Sequence, residues 1–441
     1  MMTTDPVCPL IVRLAVPTII SMLITAVYNT ADTYFVSQLN KSASGAVGIV
    51  MPLMALIQAV GFTLGMGAGS NISRLLGEKQ NEKACEYGSK ALFAAIALGA
   101  VITGVCFIFF EDLLLLLGST DTILPFARDY AFYILCAAPL FTALFVLNNI
   151  LRGEGKAFFS MMGVAAGGLL NIIIDPIFIN NLSLGIAGAA IATAISQLVS
   201  VVILLVPFIF KKTIIRLSFS KLFRNTGVYL QILRIGLPSL LRQGLASLAT
   251  ILLNNSAANI SDAAVSAMTI VTKVSMMINS AFIGFGQGFQ PVVGYNHGAG
   301  LHDRVRRAFM FTLAVGTGLL TVLGIATWLL AERIMNAFID DSEVVKIGIA
   351  ALRAQCIATP FMAPGIVTNM VLQSVGKAFG ASVLSSARQG LFFIPLILTL
   401  PHFFGTQGLI WSQPVADLLT LVAAIPFGVI FLKNLKKAAS Q

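Results

Sequence analysis

Charged residues are scarce in this sequence of 441 amino acids. Asp, Glu, Lys and Arg make up only 10% of the chain, whereas about 25% is usual for a soluble globular protein. Hydrophobic residues account for 57%, and the mean hydropathy is +0.91. The shortage of charge excludes an ordinary soluble fold and indicates a chain that crosses a membrane many times.

Residues that commonly perform chemistry are few and scattered. The five cysteines show no CxxC spacing and the three histidines form no HExxH pair, so the sequence indicates neither a metal site of that kind nor a disulfide framework. The phosphate-binding pattern GxxxxGK[ST] is also missing. We therefore expect a protein that is not an enzyme, has no cofactor and draws no energy from ATP.

Long hydrophobic runs dominate instead. Each must be helical, because backbone polar groups cannot stay unpaired in lipid, and a helix of about 20 residues crosses the hydrocarbon layer. The sequence predicts an all-α polytopic membrane protein with twelve spans. They lie at residues 11–35, 47–72, 88–111, 123–150, 158–180, 185–210, 228–258, 263–290, 308–331, 346–375, 379–401 and 408–432.

Basic residues outside the spans occur in alternate loops, which orients the chain. Loops that contain Arg74 and Lys79, or Arg152 and Lys156, share their side of the membrane with the lysine-rich C-terminal tail. The positive-inside rule makes this side cytoplasmic and predicts that both termini are cytoplasmic. Contact with anionic lipid headgroups then explains the net charge of +10 without nucleic acid as a partner.

The two halves of the chain repeat each other. "RLAVP" from Arg13 matches "RIGLP" from Arg234, and "GKAF" from Gly155 recurs from Gly376 at the same offset. Six spans are an even number, so the second half enters the membrane in the same direction as the first. This pattern predicts two six-helix lobes related by a pseudo-twofold axis along the membrane normal, as in a secondary transporter. The predicted divisions are an N-terminal lobe at 1–210, a cytoplasmic interlobe linker at 211–227 and a C-terminal lobe at 228–441.

Two acids lie inside first-lobe spans. Ionisable residues there are rare and costly and by default mark ion or substrate pathways. Asp32 and Asp175 each lie near the outer end of an outward-running span. Tyr28 lies one helical turn before Asp32, and Asn171 lies one helical turn before Asp175. Thr193 reaches a similar depth on the sixth span. We predict a coupling site at these five residues, with the alternative that some of them serve only in packing or as interhelical hydrogen bonds.

The type of ion stays open at this point. Ligands that are all oxygen suit a hard cation such as Na⁺, and two close carboxylates suit a shared proton equally well.

The second lobe is basic where the first is acidic. Arg242, Lys273 and Arg388 lie near mid-depth, and Asp417 is the only acid at a comparable level. Either Asp417 pairs with one of these bases, as buried charges must be paired, or an unpaired positive charge faces a cavity and receives the anionic group of a zwitterionic drug. Soft methionines suit a cavity that adapts to many ligands. The candidate substrate-cavity residues are Asn148, Arg242, Lys273, Arg388, Asn369, Met54 and Met276.

Several motifs carry a family resemblance. "YNTADTYFV" in the first span, "NIIIDPIFI" before "LGIAGAAIATAISQ", and "GFGQGFQPVVGYNHGA" in the second half resemble the multidrug and toxic compound extrusion (MATE) family, in its bacterial MepA-like branch. The resemblance implies a cation-coupled (H⁺ or Na⁺) antiporter of the bacterial inner membrane. It implies export of amphipathic organic cations and zwitterions by alternating access. Because a single chain already contains both lobes, we expect the protein to function as a monomer among membrane lipids.

The resemblance also assigns residues. The family's cation site falls on Asp32, Asn171, Asp175 and Thr193, with Tyr28 in its hydrogen-bond network, and Pro17 matches the proline where the first helix bends. The family's NorM branch has an essential acid in the seventh span, but residues 228–258 contain none, so we expect no cation site of that kind in the second lobe. The alternative function is a lipid-linked oligosaccharide or related lipid flippase of the same superfamily, which the second-lobe bases keep open.

Overall fold

The computed structural model describes residues 1–37, 39, 41–222 and 226–439, with all their side chains except those of residues 33, 37, 41 and 439. Within these residues the protein is helical and contains no strand. Residues 223–225 of the predicted linker lie outside this description. The α-helices are α1 Val7–Ser37, α2 Lys41–Gly77, α3 Asn81–Ile108, α4 Phe110–Leu116, α5 Leu124–Cys136, α6 Ala138–Gly153, α7 Ala157–Pro176, α8 Gly185–Ile209, α9 Gly227–Ala258, α10 Asp262–Gly298, α11 His302–Phe338, α12 Ser342–Ala358, α13 Met362–Ser374, α14 Ala378–Ser386 and α15 Ile394–Ala439.

Short irregular helices join several of these elements. A π-helical segment, Ile177–Asn181, continues α7, and a second one, Ala387–Phe393, joins α14 to α15. A 3₁₀ turn, Thr359–Phe361, joins α12 to α13. The helices α5 and α6 form one span that bends by 47° next to Pro139, because proline cannot donate the backbone hydrogen bond that a straight helix needs.

The last apolar stretch, Ala378–Ala438, has 61 residues. A straight helix of that length would measure about 90 Å, roughly three times the hydrocarbon thickness. Instead the backbone leaves helical geometry at Gly405, with φ 52° and ψ −131°. The Ser412 hydroxyl donates to the Leu396 carbonyl at 3.5 Å although the two residues are 16 apart in sequence, so the chain doubles back at Gly405. Two spans lie here, and the described helices therefore make the twelve spans that the sequence predicts.

The helices extend beyond the predicted spans. For example, α10 and α11 each have 37 residues, whereas hydropathy places only their apolar middle parts in the membrane. The reason is that a helix continues into the polar interface wherever neighbouring helices pack against it, and hydropathy does not register this part.

The internal repeat is visible in the backbone. Gly155 and Gly376 have φ values of 82° and 84°, and Gly185 and Gly405 have values of 56° and 52°. These angles lie in the left-handed region, which glycine adopts without the strain that a side chain would cause. The same turns therefore begin corresponding spans in both halves, which form the two six-helix lobes of the fold.

At the seam between the lobes, several glycines let neighbouring helices approach too closely for a side chain at those positions. Gly67 of α2 packs directly against the Ile232 carbonyl of α9, and Gly236 packs against the Thr63 carbonyl. Gly284 of α10 likewise lies against the backbone of α1. This seam occupies the end of the molecule that carries the basic loops.

Beyond the seam, α1 and α10 separate. Met277 and Lys273 lie two and three helical turns from Gly284 on the same face of α10, yet Met277 is 48% exposed and Lys273 is exposed as well. The lobes are thus closed at the basic end and open towards the opposite end.

Candidate cation site and transport cavity

Three first-lobe residues form a buried hydrogen-bonded group. The Asn171 amide donates to Asp175 Oδ1 at 2.9 Å and to the Thr193 hydroxyl at 3.3 Å. Asn171 and Asp175 are one turn apart on α7, so they share a helix face, and α8 brings Thr193 against that face. The Asp175 side chain is completely buried.

The first helix adds a second carboxylate to this group. Asp32 of α1 accepts a hydrogen bond at 3.4 Å from the hydroxyl of Tyr130 on α5, and its charge acts on Asp175. Tyr28, one turn before Asp32, lies near the Gln197 side chain of α8. Four helices therefore converge on two acids at one level of the first lobe.

Three oxygen atoms in this cluster are buried without a hydrogen-bond partner among the described residues: Asp32 Oδ1, Asp175 Oδ2 and Asn171 Oδ1. Buried polar atoms are normally bonded, and an unsatisfied one is costly. Oxygen acceptors in this arrangement fit a hard monovalent cation or a proton shared by the two acids. No described Lys or Arg forms an ion pair with either acid that would compensate their charge within the protein.

The structure thus brings together all five residues predicted for the coupling site, and it adds Tyr130 and Gln197, which sequence reasoning missed. Asp129, the charged neighbour of Tyr130 on α5, is exposed, whereas Tyr130 is fully buried. The helical phase of Leu124–Cys136 was the available signal, because Ala127, Tyr130, Ala131 and Ile134 share its buried face.

Pro17 does not interrupt α1, which is helical from Val7 to Ser37. The residue next to it, Thr18, bonds through its hydroxyl to the Gly284 carbonyl of α10 at 2.6 Å. The proline, which leaves the Arg13 carbonyl without its helical donor, therefore lies at the level of the seam between the lobes.

The predicted cavity residues have different surroundings. Met54 lies half-buried beside the cluster, with its sulfur 3.9 Å from the Tyr130 hydroxyl, and Met276 is 49% exposed. Asn148 is buried in α6. Asn369 is also buried and bonds to the Ala381 carbonyl and the Ser385 hydroxyl of α14, so its amide joins helices within the second lobe.

In the second lobe, Asp417 pairs with a base. Arg388 Nε donates to Asp417 Oδ1 at 2.6 Å, which agrees with the first of the two interpretations of these charges. Arg242 is half-buried and Lys273 is exposed at the opening between α1 and α10. Neither has a carboxylate within 4 Å among the side chains described, so two positive charges remain uncompensated on α9 and α10.

Comparisons with known proteins agree with this architecture. The MatE family model matches residues 17–177 and 238–399, and these two stretches begin at positions separated by the repeat offset. The chain is 27% identical to the multidrug export protein MepA of Staphylococcus aureus (strain MSSA476), over 96% of this chain and 93% of that protein.

Solved structures give the same result. One described as the outward-facing conformation of a multidrug resistance MATE family transporter of the MOP superfamily has a TM-score of 0.94 and 26% identity, over 99% of this chain and 98% of that one. A MOP superfamily transporter from Pyrococcus furiosus, described as having a binding pocket of reverse polarity that suggests a different function, has a TM-score of 0.93 and 25% identity, over 99% of this chain and 98% of that one. This multi-pass membrane protein belongs to the MatE family of transporters.

Proposed function

We propose that this protein is a cation-coupled multidrug efflux antiporter that exports amphipathic organic cations and zwitterions, with H⁺ or Na⁺ as the coupling ion. The observation that carries the proposal is the pair of first-lobe acids, Asp32 and Asp175, each with a buried oxygen that has no partner among the described residues. The similarity to a protein named as a multidrug exporter supports the same function. We further infer that it works as a monomer in the bacterial inner membrane, with both termini in the cytoplasm.

The mechanism depends on competition for negative charge. A cation or proton bound at Asp32 and Asp175 neutralises the first lobe and lowers its affinity for a cationic drug. By reciprocal linkage, the drug lowers the affinity for the ion to the same extent. Binding of one therefore favours release of the other, and a gradient of the ion drives drug export.

The first helix links the site to the seam. Asp32 and Thr18 lie on the same helix, and Thr18 bonds to α10 across the lobes. Pro17 removes one backbone hydrogen bond of α1 next to this contact. A shift of α1 that follows neutralisation of Asp32 therefore acts directly on the contact that closes the lobes at the basic end.

Reconstituted liposomes provide the decisive test. A fluorescent organic cation would be followed under a pH gradient and, separately, under a Na⁺ gradient, for the wild type and for Asp32→Asn. We expect one of the two gradients to drive movement of the organic cation by the wild-type protein. Asp32→Asn should lose at least about 90% of this movement, because it lacks the negative charge that both the drug and the coupling ion need. Asp129→Asn, the same change at an exposed acid of α5, is the matched control and should transport normally. Wild-type transport by Asp32→Asn against a gradient would make the mechanism wrong.

The flippase remains the second candidate because of the uncompensated charges of Arg242 and Lys273, which suit a pyrophosphate-linked lipid. If neither gradient moves any of several organic cations, the result favours the flippase. Resistance restored to a drug-hypersensitive bacterial strain would favour the exporter instead.

A further inference from the structure

Asp417 is the most completely bonded acid of the second lobe. Its side chain is fully buried. Oδ1 accepts from Arg388 Nε at 2.6 Å and from the Gln413 amide at 3.0 Å, and Oδ2 accepts from the Gln355 amide at 2.9 Å. We call Gln355, Gln413 and Asp417 the second-lobe cage.

The cage stands where the repeat puts the first-lobe cluster. Gly185 and Gly405, with nearly equal φ values, fix the register of α8 against the second part of α15. In this register Gln413 corresponds to Thr193 and Asp417 corresponds to Gln197, both members of the first-lobe cluster.

The remaining members come from corresponding helices as well. Gln355 lies on α12, the counterpart of α5, which contributes Tyr130. Arg388 lies on the continuation of α14, the counterpart of α7, which contributes Asn171 and Asp175. Three of the four helices of the first-lobe cluster therefore have counterparts that build the second-lobe cage, whereas α9, the counterpart of α1, contributes no residue to it.

The two clusters differ in how their charge is balanced. The first-lobe acids have buried oxygens without a partner in the described part of the chain, whereas both oxygens of Asp417 are bonded and one of them contacts a guanidinium. A guanidinium stays protonated in proteins and is covalently held, so it neither arrives nor leaves with an ion gradient. Asp417 is thus balanced by a charge that belongs to the protein itself.

The backbone around Arg388 is π-helical. Arg388 lies in the π-helical segment Ala387–Phe393, and π-helical turns inside membrane helices often occur at functional sites. Its Nη2 also approaches the Met362 sulfur at 3.6 Å, and only 21% of its side chain is exposed. The guanidinium therefore contacts both Asp417 and Met362.

We infer that the second-lobe cage is a monovalent-cation site that Arg388 fills permanently with its own guanidinium. This leaves the first lobe as the single coupling site, and shortening Arg388 opens a second site for Na⁺ or a proton at Asp417. The inference rests on the proposed cation coupling of the first lobe, but its own test does not require transport.

The test is the thermal unfolding of purified protein, measured with Na⁺ replaced stepwise by N-methyl-D-glucamine at several pH values. Arg388→Met replaces the aliphatic part of the side chain and removes the guanidinium, so it leaves both the charge and the space beside Asp417 unfilled. We expect this variant, in a background with Asp32→Asn and Asp175→Asn, to gain a stabilisation of several degrees from Na⁺ or from acidification. Adding Asp417→Asn should abolish the gain. Arg242→Met is the matched control. It changes a half-buried arginine that has no acid partner among the described side chains, and it should show no gain.

Two outcomes overturn the inference. One is a folded Arg388→Met protein that responds to neither Na⁺ nor pH through Asp417. The other is a wild-type cation response that survives Asp32→Asn with Asp175→Asn and disappears in Asp417→Asn. The second outcome can be read even if Arg388→Met does not fold, because it uses variants that retain the guanidinium. Failure of gradient-driven drug export would contradict the proposed function but would leave the unfolding result on Arg388→Met unchanged.

Discussion

Glu154 is a buried carboxylate outside the membrane spans, in the turn between α6 and α7. Its Oε1 accepts hydrogen bonds from the backbone N–H groups of Ile214 and Ile215 in the predicted linker, and Lys156 lies 3.3 Å from Oε2. Burial raises the pKa of the Glu154 carboxyl, although the backbone donors and Lys156 act in the opposite direction. One acid thus attaches the start of the linker to the first lobe.

This raised pKa predicts a pH dependence of stability. The folded protein holds the Glu154 proton more tightly than the unfolded chain. The contribution of this proton to the free energy of unfolding is therefore greatest below the ordinary carboxyl pKa, and it is lost as the pH rises through the raised pKa. Glu154→Gln keeps an acceptor oxygen but cannot titrate, and it should remove this dependence without loss of stability. Glu154→Ala leaves two N–H groups unpaired and should cost about 1–3 kcal/mol for each. Unfolding curves over a range of pH for the three proteins check both expectations, and identical pH profiles for wild type and Glu154→Gln would contradict the first.

Lys273 carries a prediction on substrate choice. Its exposed charge at the opening between α1 and α10 suits the anionic group of a zwitterion, and a hydrogen bond to a charged group contributes about 1.5–3 kcal/mol. Lys273→Ala should therefore lower transport of a zwitterionic drug about tenfold or more relative to a cationic drug of similar size. Lys273→Arg should retain both. Transport assays with paired substrates decide the matter, and equal loss of both drugs would count against the role.

The contact between α2 and α9 shows how whole helices set the conformation. Gly67 and Gly236 allow the two backbones to touch, so no side chain separates α2 from α9 at this contact. The glycines therefore set how closely the two lobes approach each other at the basic end.

Adding one methyl group at this contact should shift the arrangement. In Gly67→Ala the new Cβ meets the Ile232 carbonyl. Crowding of this kind typically destabilises a packed contact by about 1–3 kcal/mol. We expect the basic ends of the lobes to move apart, seen as a longer distance between spin labels at Glu78 and Asp303. Gly48→Ala is the control on the same helix, since nothing lies within 4 Å of its added Cβ. An unchanged distance in Gly67→Ala would mean that the seam does not hold the lobes closed.

The molecule as a whole illustrates what one sequence can predict. Hydropathy and the repeat predicted the twelve spans and the two-lobe fold, because membrane helices and their order follow from apolar length alone. The cluster of Asp32, Asn171, Asp175 and Thr193 was also predictable, since acids in lipid need partners at equal depth. The lobe boundaries at residues 210 and 228 and the functional roles of the site residues stay predictions.

Other features required the three-dimensional arrangement. The contact of Tyr130 with Asp32 crosses 98 residues, and nothing in the local pattern of α5 names its partner. The choice of Arg388 over Arg242 or Lys273 as the partner of Asp417 depends on the π-helical segment Ala387–Phe393, which hydropathy does not predict. Long-range side-chain contacts and local changes of helical winding are therefore what the sequence left open.

The turns at Gly155 and Gly376, and again at Gly185 and Gly405, occupy the same places in two halves of six spans each. An even number of spans returns the chain to the side of the membrane from which it started. Two copies of such a half can be fused end to end by one gene duplication, with no added helix to invert the second copy. A half with an odd number of spans would have required such a helix, so the parity of the repeat made this route to a two-lobe protein the shorter one.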